Sequence, residues 1–207
     1  MLTGKKIVLG VSGGIAAYKM ANVASMLSKL HADIHVVMTE NATHFITPET
    51  FEVLTGNHCY TDTFDRCMEL HVPHIALGTQ ADAILIAPAS ADVVGKIANG
   101  IADDMLTTCV LPATCPVMLA PSMNVHMYEN PIVQDNMKKL ASYGYEIIEA
   151  DEGYLACRDI GKGKLPPEHV LVDYIIRACA MDKDLAGKKV LVLSLIHISE
   201  PTRRSYI

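Results

Sequence analysis

Short apolar runs alternate along the chain with segments of helical spacing. Ile7 to Val11 is apolar, is closed by Ser12-Gly13-Gly14, and reads as a buried strand. Ile15 to Leu30 follows with apolar residues at 15, 16, 20, 23, 24, 27 and 30, close to the helical period. Ile34 to Met38 is a second strand, and Pro48 to Leu54 a short helix with Thr47 at its cap and Pro48 at its first position. Ala83 to Ala87 is a third strand, stopped by Pro88. A helix from Ser90 as N-cap to about Asn99 follows, and Gly100 ends it. Asp103 opens another helix to about Leu111, Pro116 to Ala120 is a fourth strand, Asn130 to Tyr143 a helix closed by Gly144, and Tyr145 to Glu149 a fifth strand. Strands that alternate with helices, none joined by hairpins, predict a parallel sheet covered on both faces. The fold class is α/β, a doubly wound Rossmann- or flavodoxin-like three-layer sandwich.

Residues 151 to 167, DEGYLACRDIGKGKLPP, break this rhythm, and their glycines, prolines and mixed charges predict a functional loop. A last helix, about Pro167 to Cys179, comes next. Leu185 to Leu193 resembles the first strand of another α/β unit, but its 14 following residues carry neither a glycine-rich turn nor a helical pattern.

Composition narrows the class. At 207 residues the chain holds one full α/β domain, and two large ones would be tight. A net charge of −6 argues against a nucleic-acid partner, which needs clustered Lys and Arg. No apolar stretch approaches the roughly 18 residues of a membrane span, and no signal peptide precedes the first strand. Cysteines 59, 67, 109, 115, 157 and 179 form no CxxC pair, as expected of reduced thiols in a cytoplasmic protein.

Strand, small-residue turn, helix is how α/β folds hold phosphate, on backbone N–H groups at a helix start. The turn Gly10-Val-Ser-Gly13-Gly14-Ile15 has that form but matches neither G-x-G-x-x-G nor G-x-x-x-x-G-K-[ST], and a tight turn with no ligand stays open on this segment alone. Thr39, Pro88-Ala89-Ser90-Ala91 and Pro121-Ser122-Met123-Asn124 also follow strands and share the carboxyl edge, where ligands bind. Four small or polar turns on one edge suit a sizeable flat ligand with a phosphate. Cys67, His71 and His74 form a C-x3-H-x2-H spacing without an obvious fourth ligand, so no metal is expected. Cys157 lies in the loop, where an exposed thiol near its reference pKa of about 8.5 can donate a proton or be incidental. Asn124 can bind a carboxylate or simply form a turn.

Taken together, GVSGGIAAYK, HIALGTQADAILIAPASADVVGKIANGIADDMLTT, APSMNVHMYENP and ACRDIGKGKL resemble the homo-oligomeric flavin-containing cysteine decarboxylases. The similarity, over about residues 4 to 193, is nearest to the decarboxylase half of the bifunctional phosphopantothenoylcysteine decarboxylase/phosphopantothenate–cysteine ligases of bacterial coenzyme A synthesis. The resemblance implies FMN as cofactor, held by Ser12, Gly13, Gly14, Ile15, Thr39, Pro88, Ala89, Ser90, Ala91, Asp92 and Met123. It implies His74 as the active-site histidine, Asn124 as the seat of the substrate carboxylate, and Cys157, on a substrate clamp over residues 153 to 164, as the proton donor. Asp92 stands where the family more widely has Asn, and Arg158 where Gly is usual.

The implied reaction is decarboxylation of 4′-phosphopantothenoylcysteine to 4′-phosphopantetheine. Oxidation of the thiol-bearing carbon gives a thioaldehyde that serves as electron sink, CO2 loss gives an enethiolate, and return of hydride and proton gives the product. The family assembly implies a flavin at a subunit interface of a trimer, with trimers building a dodecamer. Residues 1 to 182 are then the FMN-binding decarboxylase domain and 183 to 207 a truncated linker toward an absent ligase domain. Residues 194 to 207 are expected to be foreign or disordered and ligase activity absent. The competing readings are a sibling acting on peptidyl cysteine or a prenylated flavin, a non-catalytic flavin-binding regulatory subunit, and an NAD oxidoreductase with Asp33 or Glu40 as the ribose acid.

Overall fold

The first five predicted strands are found in the computed structural model, which describes residues 1–64, 72–154, 159–179 and Lys189. In chain order the elements are β1 (Lys6–Val11), α1 (Lys19–Lys29), β2 (Asp33–Met38), α2 (Pro48–Thr55), β3 (Cys59–Tyr60), α3 (Pro73–Gln80), β4 (Ala83–Ala89), α4 (Ala91–Ala98), α5 (Met105–Val110), β5 (Val117–Pro121), α6 (Val125–Glu129), α7 (Pro131–Ser142), β6 (Glu146–Ile147), β7 (Asp151–Tyr154), β8 (Ile160–Lys164) and α8 (Glu168–Cys179). Six strands form one sheet in the order β3-β2-β1-β4-β5-β6, every neighbouring pair parallel. The order reverses between β1 and β4, so a crevice opens beyond their carboxyl ends, which is where such sheets bind ligands.

Alternate residues of each central strand feed two cores. Leu9, Val36, Leu85 and Met118 pack with Met20, Val23 and Leu27 of α1 and with Leu171 and Ile175 of α8. Val8, Val37, Ile84 and Leu119 pack on the other face with Leu77 of α3, Val93 of α4, Leu106 of α5 and Leu140 of α7. Burial on both faces explains why these strands read as continuous apolar runs. Among the described residues no helix is long and apolar enough to cross a membrane.

Several boundaries differ from the sequence expectation. The predicted helix from Ile15 begins as a 3-10 turn, Ile15–Tyr18, before α1. Thr47 caps α2 by position, but its side chain makes no capping bond. Strand β4 runs on through Pro88 to Ala89, because its register with β5 shifts between Ile86 and Ala89 and the missing N–H costs no ladder bond there. Asp104, not Asp103, caps α5, with a reciprocal capping box to Thr107. The edge strand β3 and helices α3 and α6 were not predicted. Residues 151 to 167 are not a plain loop either, since β7 and β8 pair as an antiparallel hairpin. The predicted strand at 185 to 193 and the tail lie outside the described residues, Lys189 aside.

Candidate active site

The turn after β1 is built first, since it bears on every other. Ser12 is fully buried, and its Oγ donates to the Pro88 carbonyl at 2.6 Å and accepts from the Ser90 N–H at 2.9 Å. One hydroxyl therefore ties the end of β1 to the end of β4, across the point where the strand order reverses. Gly13 backs onto Asn41, and a Cβ there would come within 2.5 Å of the Asn41 Cβ, so only glycine permits this approach. Ser90 caps α4 by accepting from the Val93 N–H at 3.3 Å. After β5, Asn124 caps α6, its Oδ1 accepting from the His126 N–H at 2.8 Å. That bond fixes the amide, so Nδ2 faces away from the helix and donates to Asp159 Oδ2 at 3.0 Å.

Between these turns lies a cavity of about 300 Å³, lined by Gly13, Gly14, Ile15, Ala16, Ser90, Ala91, Ser122, Met123, Asn124, Met127 and Gly163. Among the described residues no charged side chain lines it. Its polar groups are backbone amides, two hydroxyls and one carboxamide, set in otherwise apolar walls. Gly163 comes from the hairpin, and its carbonyl accepts from the Met123 N–H at 3.0 Å. With φ +135° and its Cβ position 2.3 Å from the Met123 oxygen, Gly163 lets β8 lie flush against the turn.

Seven predicted residues meet at this cavity: Gly13, Gly14, Ile15, Ser90, Ala91, Met123 and Asn124. Ser12, Pro88 and Ala89 are buried and are not among the residues that line the cavity. Asp92 is mostly exposed, pairs with Lys96 at 3.3 Å and is not among the residues that line the cavity. Thr39 is buried at the carboxyl end of β2 with its Oγ1 unpartnered among the described residues. His74 stands in the first turn of α3, half-buried, with Nδ1 unpartnered among the described residues, and it does not line the cavity. Cys157, Arg158, Cys67 and His71 lie outside the described residues. Sequence reasoning passed over Ala16, although it sits one residue beyond the glycine turn, and over Asp159, whose contact with Asn124 spans 35 positions.

Size alone does not choose the ligand site. A larger cavity of about 490 Å³ on the same edge is lined by Glu40, Asp62, Asp103 and Asp104 among others, and four carboxylates repel a phosphate. The smaller one suits the phosphate of a flavin cofactor. The 3-10 turn that starts at Ile15 has no side-chain cap, which leaves helix-start N–H groups for an anion, and Thr39 Oγ1, unpartnered among the described residues, lies at the end of β2 on the same edge.

Comparison with known proteins agrees with this geometry. The Flavoprotein family matches residues 1–180. The coenzyme A biosynthesis bifunctional protein CoaBC of Bacillus subtilis (strain 168) is 49% identical over 172 residues, covering 83% of this chain and 42% of the relative. That of Haemophilus influenzae is 39% identical over 191 residues, covering 92% of this chain and 48% of the relative. The chain thus spans about half the length of the curated relatives it matches. Among solved structures, the FMN-dependent cysteine decarboxylase SpaF superposes with TM-score 0.76 at 34% identity, covering 87% of this chain and 100% of that one. A cysteine-to-serine mutant of PPC decarboxylase complexed with pantothenoylaminoethenethiol gives TM-score 0.74 at 29% identity, covering 83% and 96%.

Proposed function

The chain belongs to the Flavoprotein family, and from that premise we propose that it decarboxylates 4′-phosphopantothenoylcysteine to 4′-phosphopantetheine with FMN as cofactor. One observation carries the reading: a cavity at the switch point of the sheet, lined among the described residues by no charged side chain, joins a phosphate-type turn, Gly13-Gly14, to a carboxamide fixed by its helix cap, Asn124. The first suits FMN and the second a carboxylate. The names of the relatives support the same substrate, since they are coenzyme A biosynthesis proteins and a PPC decarboxylase.

When bound, FMN supplies a reversible hydride acceptor, the chemistry that makes a thiol-bearing carbon an electron sink for loss of CO2. The backbone amides of Gly13 to Ile15 hold the phosphate. Ser90, Ala91 and Met123 wall the ring. Asn124 Nδ2 orients the substrate carboxylate, and Cys157 delivers the final proton. His74 moves a proton in the oxidative half from a position outside its own chain's cavity, which supports a site completed by a second copy in a homo-oligomer, a trimer on the family pattern. Exposed Ile15 and Met127 at the cavity rim, 58% and 48% accessible, suit burial against such a copy.

Purified protein should show flavin absorption and release CO2 from 4′-phosphopantothenoylcysteine. Flavin-loaded protein that leaves this compound intact but decarboxylates a peptide ending in cysteine would overturn the substrate. His74→Asn should abolish turnover, and Cys157→Ser should halt at the enethiol.

A further inference from the structure

We infer that Asp159 is a built-in occupant of the carboxylate seat: in the free enzyme its side chain holds the Asn124 donor that the substrate carboxylate must claim. The inference rests on Asn124 as that seat. The contact is direct, Asn124 Nδ2 donating to Asp159 Oδ2 at 3.0 Å in a half-buried position. The amide cannot turn to avoid it, because Oδ1 is committed to the His126 N–H at 2.8 Å. The carboxylate is equally well placed, because β8 is fastened to the same turn through the Met123 N–H to Gly163 carbonyl bond at 3.0 Å.

Among the described residues no lysine or arginine pairs with Asp159, and Lys162, on the strand that follows it, goes instead to Glu149 at 2.5 Å. A carboxylate whose partner among the described residues is a neutral amide is easily displaced by a second carboxylate that brings further contacts. Nδ2 carries a second N–H, but a substrate carboxylate on it would stand within about 5 Å of the Asp159 carboxylate, and like charges that close repel outside bulk water. Asp159 therefore sets a threshold. A ligand that brings a carboxylate together with other binding energy displaces it, whereas a small free anion does not. Once CO2 has left, the product has nothing to offer Asn124, and Asp159 returns to it. Asp159 is thus a specificity-determining residue that acts through Asn124.

Two thiol-free ligands test this on the flavin-loaded enzyme: 4′-phosphopantothenoylserine, which keeps the carboxylate, and 4′-phosphopantothenoylethanolamine, which lacks it. Neither can be oxidised to a thioaldehyde, so Kd is read without turnover. Asp159→Asn, nearly the same shape without the charge, and Asp159→Ala should each bind the serine compound about five- to tenfold tighter, the scale of a charged hydrogen bond in a part-exposed site. Affinity for the ethanolamine compound should stay within about twofold of wild type. Asn124→Ala should erase the preference for the serine compound. If both ligands shift alike in the Asp159 variants, or the serine compound binds more weakly, Asp159 is structural and the inference is overturned while the seat stands. If Asn124→Ala leaves the preference intact, the seat itself is wrong and the inference fails with it. Flavin absorption and far-ultraviolet dichroism of Asp159→Asn like those of wild type establish that the fold is retained.

Discussion

Ser12→Ala separates two meanings of the glycine turn. The family resemblance implies a cofactor ligand at Ser12, and its hydrogen bonds give it the place of a strut between two strand ends. Removing Oγ deletes a 2.6 Å bond to the Pro88 carbonyl and a 2.9 Å bond from the Ser90 N–H. Pro88 keeps the Ser12 N–H as a donor at 3.3 Å, but the Ser90 N–H is left without its acceptor. Two hydrogen bonds at about 1 kcal/mol each, plus part of the cost of an unsatisfied N–H that water reaches from the cavity, come to about 2–3 kcal/mol. For a chain of this size that is a fall in Tm of about 4–12 °C. The assay is equilibrium urea unfolding at one protein concentration and a series of FMN concentrations. A strut costs stability at every FMN level, the lowest included, and any loosening of the holding site adds to that deficit as FMN rises. A direct ligand costs nothing at low FMN, and its deficit grows with ligand through the logarithmic linkage of binding to folding. Ser12→Ala within about 0.5 kcal/mol of wild type at the lowest FMN, diverging as FMN rises, would refute the strut.

Gly163→Ala places a Cβ 2.3 Å from the Met123 oxygen at a φ of +135°. The variant should undock β8 at a cost of about 1–3 kcal/mol, read as faster hydrogen exchange at the Met123 amide with the sheet amides unchanged; retained protection there would contradict the packing argument. Lys96 Nζ lies 3.3, 3.0 and 3.3 Å from Asp92, Asp103 and Asp104, so Lys96→Met leaves three carboxylates facing one another. A loss of about 1–3 kcal/mol is expected, shrinking in 1 M NaCl, and a salt-independent loss would point to packing instead. Burial pulls the Lys96 ammonium down, but hydrogen bonds to Asp103 and Asp104 and the charges of Asp104 and Asp92 outweigh it and raise its pKa. Stability from a raised lysine is complete below the unfolded value of about 10.4 and is lost as pH climbs through the folded one. The gap between wild type and Lys96→Met should therefore stay level from neutrality to about pH 10 and close above it, as urea midpoints across that range will show.

How legible each part was depends on the range of the interaction that builds it. Central strands such as Ile7 to Val11 were plain because burial on both faces makes them apolar at every position. Helix starts with a local cap, Ser90 and Asn130, were also plain, because donor and acceptor lie two or three residues apart. Strand β3 was not, since its two residues are strand only by pairing with Val36 and Val37. The hairpin was hidden for a related reason: Gly161 and Gly163 read as loop formers, whereas in the fold Gly163 is the thin point that lets β8 reach Met123. The burial of Ser12 and the bond from Asn124 to Asp159 were invisible because each joins segments far apart in sequence. The resemblance could name a residue as part of the site, but only coordinates distinguish a wall from the strut behind it.

That distinction orders the site by mechanical role. The cavity is framed by buried or capped groups, Ser12 behind it, Ser90 and Asn124 at its helix starts, all fixed by bonds of 3.3 Å or less. Of the groups assigned to proton traffic, His74 opens α3 and does not line the cavity, and Cys157 lies outside the described residues. Separate groups for holding and for proton transfer suit reaction steps that need different proton donors. It follows that damage should sort by location. Changes to the frame should lower flavin occupancy and turnover together, because the holding site itself loosens. Changes at His74 or Cys157 should leave flavin bound while turnover stops. A Ser12 variant with full flavin content and no turnover, or a His74 variant emptied of flavin, would break this division, and flavin absorbance per chain beside CO2 release measures both quantities on the same sample.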